Sequence, residues 1–432
     1  MNSNSPRVLV ISNNAFSDTS NNGKTLAAIF SGLKNVEVAQ LYFKNEVPTS
    51  AITDTYFKIT DQEMLNNYFS FKKNAGNRID NSVLDNTELS APLINHTTPS
   101  ISKNQLARIF REIVWKRRSW KNNKLFSWID EFNPNIILFC AGDSEFSYDI
   151  VDVIQEKYKT KLCVYMTDDY ILPRKNKSIL FEIRRKKIKK VMAKAIMRSD
   201  VLFVISDKMS EVYEGVFGKQ SIVLKNMSES LLLNSRAPKQ RSNDISFVYA
   251  GGLHFNRDKT LMELADVLDK YNSIEKNEIK AKLHLYTNNN IDKLDFERLI
   301  GFDSVEYQGF VSSKELKVVL NECDIPVHVE AFDQESVEST RLSLSTKIPE
   351  YMSLNKPILA IGPSELASMS YLAPFACCVT NIKDLEDKVE ILLNSKEVRA
   401  SLAEKSFLQY SEEYDKEAFE KKMSELFNSI LL

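Results

Sequence analysis

The stretch Ser343–Gly362, SLSTKIPEYMSLNKPILAIG, decides how the rest of the chain is read. Its second half, Pro357-Ile358-Leu359-Ala360-Ile361, is an apolar run bounded by Lys356 before and Gly362-Pro363 after. That is the pattern of a short buried strand in a parallel sheet. Its first half, Thr346 to Leu354, carries helical apolar spacing at Ile348, Tyr351 and Met352. The polar Ser-Leu-Ser-Thr opening leads into a helix start, where backbone N–H groups without intrahelical partners can meet phosphate oxygens. Glu350 sits about one turn further on, placed to accept hydrogen bonds from a ribose. The unit reads as loop, helix, strand with an anion site at its mouth, against the plainer alternative of an ordinary α/β segment with a surface glutamate.

The same residues carry a resemblance. Ser345-Thr346-Lys347-Ile348-Pro349-Glu350-Tyr351-Met352, followed by Asn355-Lys356-Pro357-Ile358-Leu359, resembles the donor-site helix of GT-B glycosyltransferases, specifically glycosyltransferase family 4. The resemblance implies that Glu350 binds the ribose of a nucleotide-sugar and that the backbone amides at Ser345 and Thr346, with Lys347, face its diphosphate.

The chain has 432 residues, 43% hydrophobic and 27% charged, which suits two or three globular domains with their own cores. Met1-Asn2-Ser3-Asn4-Ser5-Pro6 is polar and does not read as a signal peptide. No run approaches the roughly 18–20 apolar residues of a membrane span. The five cysteines, Cys140, Cys163, Cys323, Cys377 and Cys378, lack metal-type spacing and lie mostly in strand-like runs, which predicts buried thiols in a reducing, cytoplasmic setting. Net charge is −1, but residues 174–198 carry a local +10 and residues 103–124 a local +7, leaving −18 for the remainder. Two basic segments on an otherwise acidic chain predict an anionic partner.

From the N-terminus, Arg7 to Ser12 reads as a first parallel strand, and Gly23-Lys24-Thr25 opens a helix continued by Leu26, Ile29, Phe30 and Leu33. A P-loop needs a glycine five residues before Gly23, where Asp18 stands, so that motif is absent. The resemblance instead places Gly23 in the loop facing donor phosphates and acceptor. Residues 59–101 read as an extended insertion with a short helix near Gln62–Phe71. From Lys103 to Phe132 the pattern predicts one helical stretch holding all three tryptophans, Trp115, Trp120 and Trp128, among basic residues. Aromatic anchors beside cations suit an anionic membrane interface, against the alternative of a core helix with a solvated basic face. Residues 174–198 predict an amphipathic helix, with Phe181, Ile188, Met192 and Ala195 on one face and Lys186, Lys187, Lys189, Lys190 and Lys194 mostly on the other. Membrane or lipid phosphate ranks ahead of nucleic acid as its partner, because no nucleic-acid module surrounds it.

Asp168-Asp169 follow the strand Lys161–Met166, at the strand end where α/β folds place chemistry. They suit contact with an acceptor hydroxyl, a role as base, or capping of the next turn. The histidine that family 4 members carry nearby is absent. After Asn226 and a polar linker at 227–243, the alternation restarts: Ile245–Ala250 is a strand, and Gly251-Gly252 turns toward a helix start bearing Arg257 and Lys259. Glycine allows a close approach to a diphosphate, and the resemblance implies that Arg257 and Lys259 supply the counter-charge. It likewise places Phe310-Val311 near the nucleobase. His284 and His328, in apolar strands, read as core histidines. The family's two glutamates separated by seven residues are incomplete, because Leu342 stands at the first position and Glu330, Glu335 and Glu338 lie upstream.

The expectation is therefore an α/β protein of the GT-B type: two Rossmann-like domains, 1–226 and 244–410, with a deep interdomain cleft and a C-terminal helix at 411–432 returning to the first. The resemblance implies a retaining, metal-independent hexosyltransferase without cofactor. It would use a nucleotide-sugar donor and a saccharide or polyprenyl-linked acceptor in surface polysaccharide assembly. Such a protein would be cytoplasmic, peripherally membrane-bound through 103–124 and 174–198, and would bind no nucleic acid. The missing glutamate at Leu342 motivates a rival, a catalytically silent partner of an active transferase.

Overall fold

A computed structural model describes residues 5–18, 21–79, 105–175, 177–228, 230–232, 244–288 and 291–432. The chain divides into two units, one of residues 1–225 with 417–432, the other of residues 226–416.

The first unit runs β1 (Arg7–Ser12), α1 (Asn21–Phe30), β2 (Glu37–Tyr42), β3 (Tyr56–Lys58), α2 (Asp61–Ser70), β4 (Asn77–Ile79), α3 (Gln105–Lys116), α4 (Asn123–Phe132), β5 (Ile136–Ala141), α5 (Glu145–Tyr158), β6 (Lys161–Met166), α6 (Ile179–Arg198), β7 (Val201–Val204), α7 (Asp207–Phe217) and β8 (Ile222–Val223). Its sheet has the order β4-β3-β2-β1-β5-β6-β7-β8, parallel except for β4. Apolar runs such as Val8–Ile11 and Ile136–Phe139 lie wholly buried at its centre, as strands covered on both faces must. Helix starts are fixed by side chains: Thr60 and Glu63 form a reciprocal capping box on α2, and Ser206 caps α7.

The second unit runs β9 (Ile245–Ala250), α8 (Arg257–Ser273), β10 (Ala281–Tyr286), α9 (Lys293–Ile300), β11 (Val305–Gly309), α10 (Ser313–Glu322), β12 (Ile325–Val329), α11 (Gln334–Thr340), α12 (Lys347–Met352), β13 (Leu359–Ile361), α13 (Ala367–Leu372), β14 (Cys377–Val379), α14 (Leu385–Asn394) and α15 (Lys396–Glu413). Its all-parallel sheet has the order β11-β10-β9-β12-β13-β14. Phe247, Leu283, Val327 and Leu359 meet Leu261, Leu264 and Leu268 of α8 and Leu392 and Leu393 of α14 in one core. The last helix, α16 (Lys416–Leu431), groups with the first unit, where Phe427 stacks on Phe30 of α1 with centroids 6.0 Å apart.

Two sequence expectations change. The stretch 103–132 is two helices, because Arg118 takes a left-handed conformation (φ 56°) and the chain turns before α4. The tryptophans do not reach an interface. Trp115 stacks on Phe146 at 3.8 Å and donates from Nε1 to Asp61 at 2.7 Å, Trp128 packs on Phe57 at 5.3 Å, and Trp120 is fully buried. Burying that much aromatic surface outweighs the basic neighbours, whose long stems leave their charges in water. Most of the linker at 227–243 and residues 80–101 of the insertion lie outside the described residues. The part of the insertion that is described holds α2 and β4. All five cysteines are free thiols, Cys140, Cys163, Cys323 and Cys377 being buried.

Glu112 on α3 reaches across to the start of α5, where its carboxylate accepts from the backbone N–H groups of Glu145 (3.0 Å) and Phe146 (3.2 Å). Burial, and next the charge of Glu145, push the carboxyl up to about 7. A group raised in the folded state binds a proton that the unfolded chain has released, so its effect on stability declines as pH rises from about 4.5 to about 7. Over that window the loss is on the order of 3 kcal/mol. Relative to Glu112→Gln, the native chain should therefore lose stability between pH 5 and pH 8, read as the difference in urea midpoints. Parallel pH dependences would refute the assignment.

Candidate functional site

Each unit presents its own group of candidate residues at the C-terminal edge of its parallel strands. In the second unit the sheet order reverses direction between β9 and β12, the position where α/β folds open a crevice for ligands. The loop after β9 is tight. Tyr249 donates its hydroxyl to the Gly252 carbonyl at 2.7 Å, and a Cβ on Gly252 would sit 2.5 Å from the His254 ring. Phe255 and Asn256 both take positive φ (59° and 54°) before α8 begins.

Arg257, the first residue of α8, turns onto the end of β12. Its Nη2 donates to both carboxylate oxygens of Glu330 (3.0 and 2.9 Å), and its Nε donates to the Val329 carbonyl (3.1 Å) and Glu330 Oε2 (3.3 Å). Nη1 meets His254 Nε2 at 3.2 Å. Burial opposes the Arg257 charge, but Glu330 outweighs it and raises the guanidinium pKa further. Burial pushes the Glu330 carboxyl up while Arg257 draws it back. Both charges are then held by this one contact. His328, two residues earlier on the same face of β12, is pushed down to about 3 by burial and then by Arg257, so it is neutral. Its Nε2 lies 3.6 Å from Glu330 Oε1 and makes no hydrogen bond. The predicted core position of His328 is therefore correct, but it is not satisfied there. His284 is half-buried with Nδ1 3.3 Å from Glu306 Oε2.

The helix α12 leads into β13, so it runs against the strands and its start lies at their C-terminal edge. Glu350 is buried, with Oε2 accepting from Lys347 Nζ at 2.9 Å. The Glu350 carbonyl accepts from Ser353 Oγ at 2.8 Å, which holds the end of this short helix. The two amides that follow Ser345 and Thr346 already have partners: Lys347 N–H meets Ser345 Oγ at 3.3 Å and Ile348 N–H meets Ser345 O at 3.2 Å. Leu342 is buried and apolar. Lys259 is exposed on the first turn of α8 beside Asp333, whose carboxylate also accepts from Asn256 at 2.9 Å. Phe310 is exposed just beyond β11, with Val311 half-buried after it; three strand positions separate β11 from β12.

In the first unit, Gly23 lies in the opening turn of α1, beside the loop that Gln40 braces through Ser12 Oγ, the Asn14 carbonyl and the Phe16 N–H. After β6, Asp168 and Asp169 separate in character. Asp169 is buried, its Oδ1 accepting from the N–H groups of Ile171 and Leu172 at 3.0 Å each, so its carboxylate builds the turn. Asp168 is half-buried and accepts from Tyr170 at 3.3 Å. Sequence reasoning missed the neighbouring cluster at the end of β5, where Asp143 pairs with Arg108 of α3 and Arg184 of α6. Burial works against that carboxylate, and the two arginines together hold it below the usual range. It also missed the pairing of Arg257 with Glu330, whose one sequence signal is a carboxylate directly after a strand that is apolar but for His328.

No family model matches the chain, and no curated protein matches it in sequence. Solved structures do. A glycosyltransferase from Rickettsia africae superposes with TM-score 0.61 at 11% identity over 99% of both chains. A UDP-forming α,α-trehalose-phosphate synthase from Burkholderia vietnamiensis gives 0.59 at 10% identity over 98% of this chain and 100% of that one. The N-terminal domain of trehalose-6-phosphate phosphatase from Candida albicans gives 0.62 at 11% identity, covering 99% and 97%. The chain has the GT-B fold. The sequence expectation of an α/β protein with two parallel-sheet domains of this type is met. Among these neighbours the Rickettsia protein and the trehalose-phosphate synthase are glycosyltransferases, which is as far as the likeness goes toward the family 4 resemblance.

Removing one member of a buried ion pair strands the other charge, at a cost of about 3–5 kcal/mol. Arg257→Ala should lower the unfolding free energy by that amount in urea, and Arg257→Met combined with Glu330→Leu should recover most of it. A native-like Arg257→Ala variant would show that the pair is not both charged and buried.

Proposed function

We propose that this chain transfers a sugar from a nucleotide-sugar donor to a saccharide acceptor, and that the second unit holds the donor. The reading rests on two groups at the C-terminal edge of the second unit's sheet in a GT-B fold: Arg257 paired with Glu330 after β12, and Lys347 paired with buried Glu350 on α12, which leads into β13. Cations and backbone amides at that edge suit a diphosphate, and their charge offsets what develops on the leaving group as the glycosidic bond breaks. Arg257 would present its Nη1 edge to a phosphate oxygen, Glu330 holding the opposite edge. Lys259 and Lys347 would add charge, and the Ser345 and Thr346 backbone would line the phosphates. Gly252 and Gly23 would permit close approach, Phe310 and Val311 would flank the base, and Glu350 would exchange part of its bond with Lys347 for the ribose hydroxyls. Asp168 would touch the acceptor or the transferred sugar, with Asp169 fixing the turn that carries it.

The finer reading is a retaining, metal-independent hexosyltransferase of the family 4 type, its cationic side chains serving in place of a metal. The acceptor would be a polyprenyl-linked saccharide in surface polysaccharide assembly at the cytoplasmic membrane face, approached through the basic segments 103–124 and 174–198. Buried, apolar Leu342 favours one rival: a catalytically silent GT-B protein that binds donor and partners an active transferase.

A panel of nucleotide-sugars tested for thermal stabilisation and for donor hydrolysis decides between them. One donor should stabilise the protein and be hydrolysed slowly, and Glu350→Ala should weaken its binding roughly tenfold to a hundredfold, the value of charge-assisted hydrogen bonds. Stabilisation without turnover, even with polyprenyl-linked saccharides present, would favour the silent partner. No response to any nucleotide or nucleotide-sugar would overturn the donor site.

A further inference from the structure

The outward face of α2 and α3 carries a set of side chains that water alone disfavours. Leu106, Phe110 and Ile113 recur at i, i+4 and i+7 along α3, and Phe69 and Phe71 stand at the end of α2. All five are between 46% and 77% exposed. They form one patch: Tyr68 lies edge-on to Phe110 at 6.4 Å and to Phe69 at 5.5 Å, and Arg117 lies 4.4 Å over Phe71. A contiguous apolar surface on a folded domain marks an interaction site. The neighbouring α6 joins α3 through the shared Asp143 pair and repeats the pattern, with exposed Ile179 and Ile183 preceding exposed Lys186 and Lys190.

Basic residues predominate around this patch. Lys72, Lys73, Lys116 and Lys121 are exposed at its rim. The acidic residues of the three helices are each engaged: Asp61 with Arg111 and Trp115, Glu63 in the α2 cap, Glu112 on the α5 amides and Glu182 with Arg185. Protein interfaces are depleted in lysine, whereas a lysine rim around aromatic and aliphatic side chains matches a diffuse anionic surface with an apolar layer beneath it. The bilayer interface has both.

We infer that Phe69, Phe71, Leu106, Phe110 and Ile113 insert into the interface of an anionic phospholipid bilayer, with Lys72, Lys73, Lys116, Lys121 and the lysines of α6 meeting lipid phosphates. This deepens the membrane part of the proposed function by replacing the buried tryptophans with a different set of anchors. It does not depend on glycosyl transfer.

The full chain should co-sediment with vesicles of equimolar phosphatidylcholine and phosphatidylglycerol, more weakly with phosphatidylcholine alone, and less as salt rises. Phe110→Ser with Ile113→Ser should lower the partition coefficient roughly tenfold or more, as loss of buried apolar area requires, with unchanged circular dichroism and melting temperature. Donor hydrolysis without vesicles should be the same in this variant, so a failure of insertion is separable from a failure of the donor site. Equal partition of native and variant protein would overturn insertion, leaving charge alone as the attraction. So would a native dimer that the double substitution dissociates, since a second copy would then cover the patch. So would variant-independent absence of vesicle binding.

Discussion

The pairing of Arg257 with Glu330 is the constraint from which the C-terminal edge of the second unit's sheet follows. A carboxylate at the end of a central strand, in contact with a buried histidine, cannot remain charged unless a cation is locked against it. That requirement brings the start of α8 onto the end of β12 and fixes one edge of the guanidinium. It also explains the geometry of the intervening loop. The chain must leave β9, pass the Gly252–His254 contact and turn through two positive-φ residues so that α8 begins with Arg257 facing β12. Thr260, one turn later, donates to the Glu330 carbonyl at 3.1 Å and ties the same two elements together again.

Around this pair, polar groups are graded by burial. Glu350 is buried but shares its charge with a half-exposed lysine three residues before it, which leaves that lysine able to move. His328 is neutral and its Nε2 lacks a hydrogen bond, an unmet demand of a kind that clusters at functional positions. In the first unit, a comparable logic operates at the end of β5, where one aspartate is held by two arginines from different helices, and at the end of β6, where one aspartate of a pair is consumed by the turn. In both sheets the chemistry-bearing side chains stand at strand ends, where parallel sheets leave backbone and side chains free of the ladder.

Much of the fold was legible in the chain. Runs such as Val8–Ile11, Ile136–Phe139 and Leu162–Met166 are apolar without alternation, which only a strand covered on both faces tolerates, and their spacing by helical segments leaves a parallel sheet as the outcome. The helix at Lys347–Met352 was legible for the same reason, because a helix start with polar residues and a strand beginning after Lys356-Pro357 are both local signals. The tryptophans were not. Proximity to Lys116, Arg117 and Lys121 along the chain says nothing about which way an indole points. Trp115 faces Phe146 and Asp61, residues 31 and 54 positions away. The outward stripe Leu106, Phe110 and Ile113 lies on the same helix. A helix with two apolar faces declares its core face only through its neighbours.

The sequence by itself determined the alternation of strands and helices, the two-sheet organisation and the residue types available at the strand ends, because these follow from periodicity and from the local chemistry of turns and caps. Tertiary structure alone decided what those residues do. Glu330 lies 73 positions from Arg257, Arg184 lies 41 from Asp143, and Glu112 caps a helix 33 positions on. Each partnership exists because burial makes an unpaired charge or amide costly, and burial is a property that no local stretch of sequence carries.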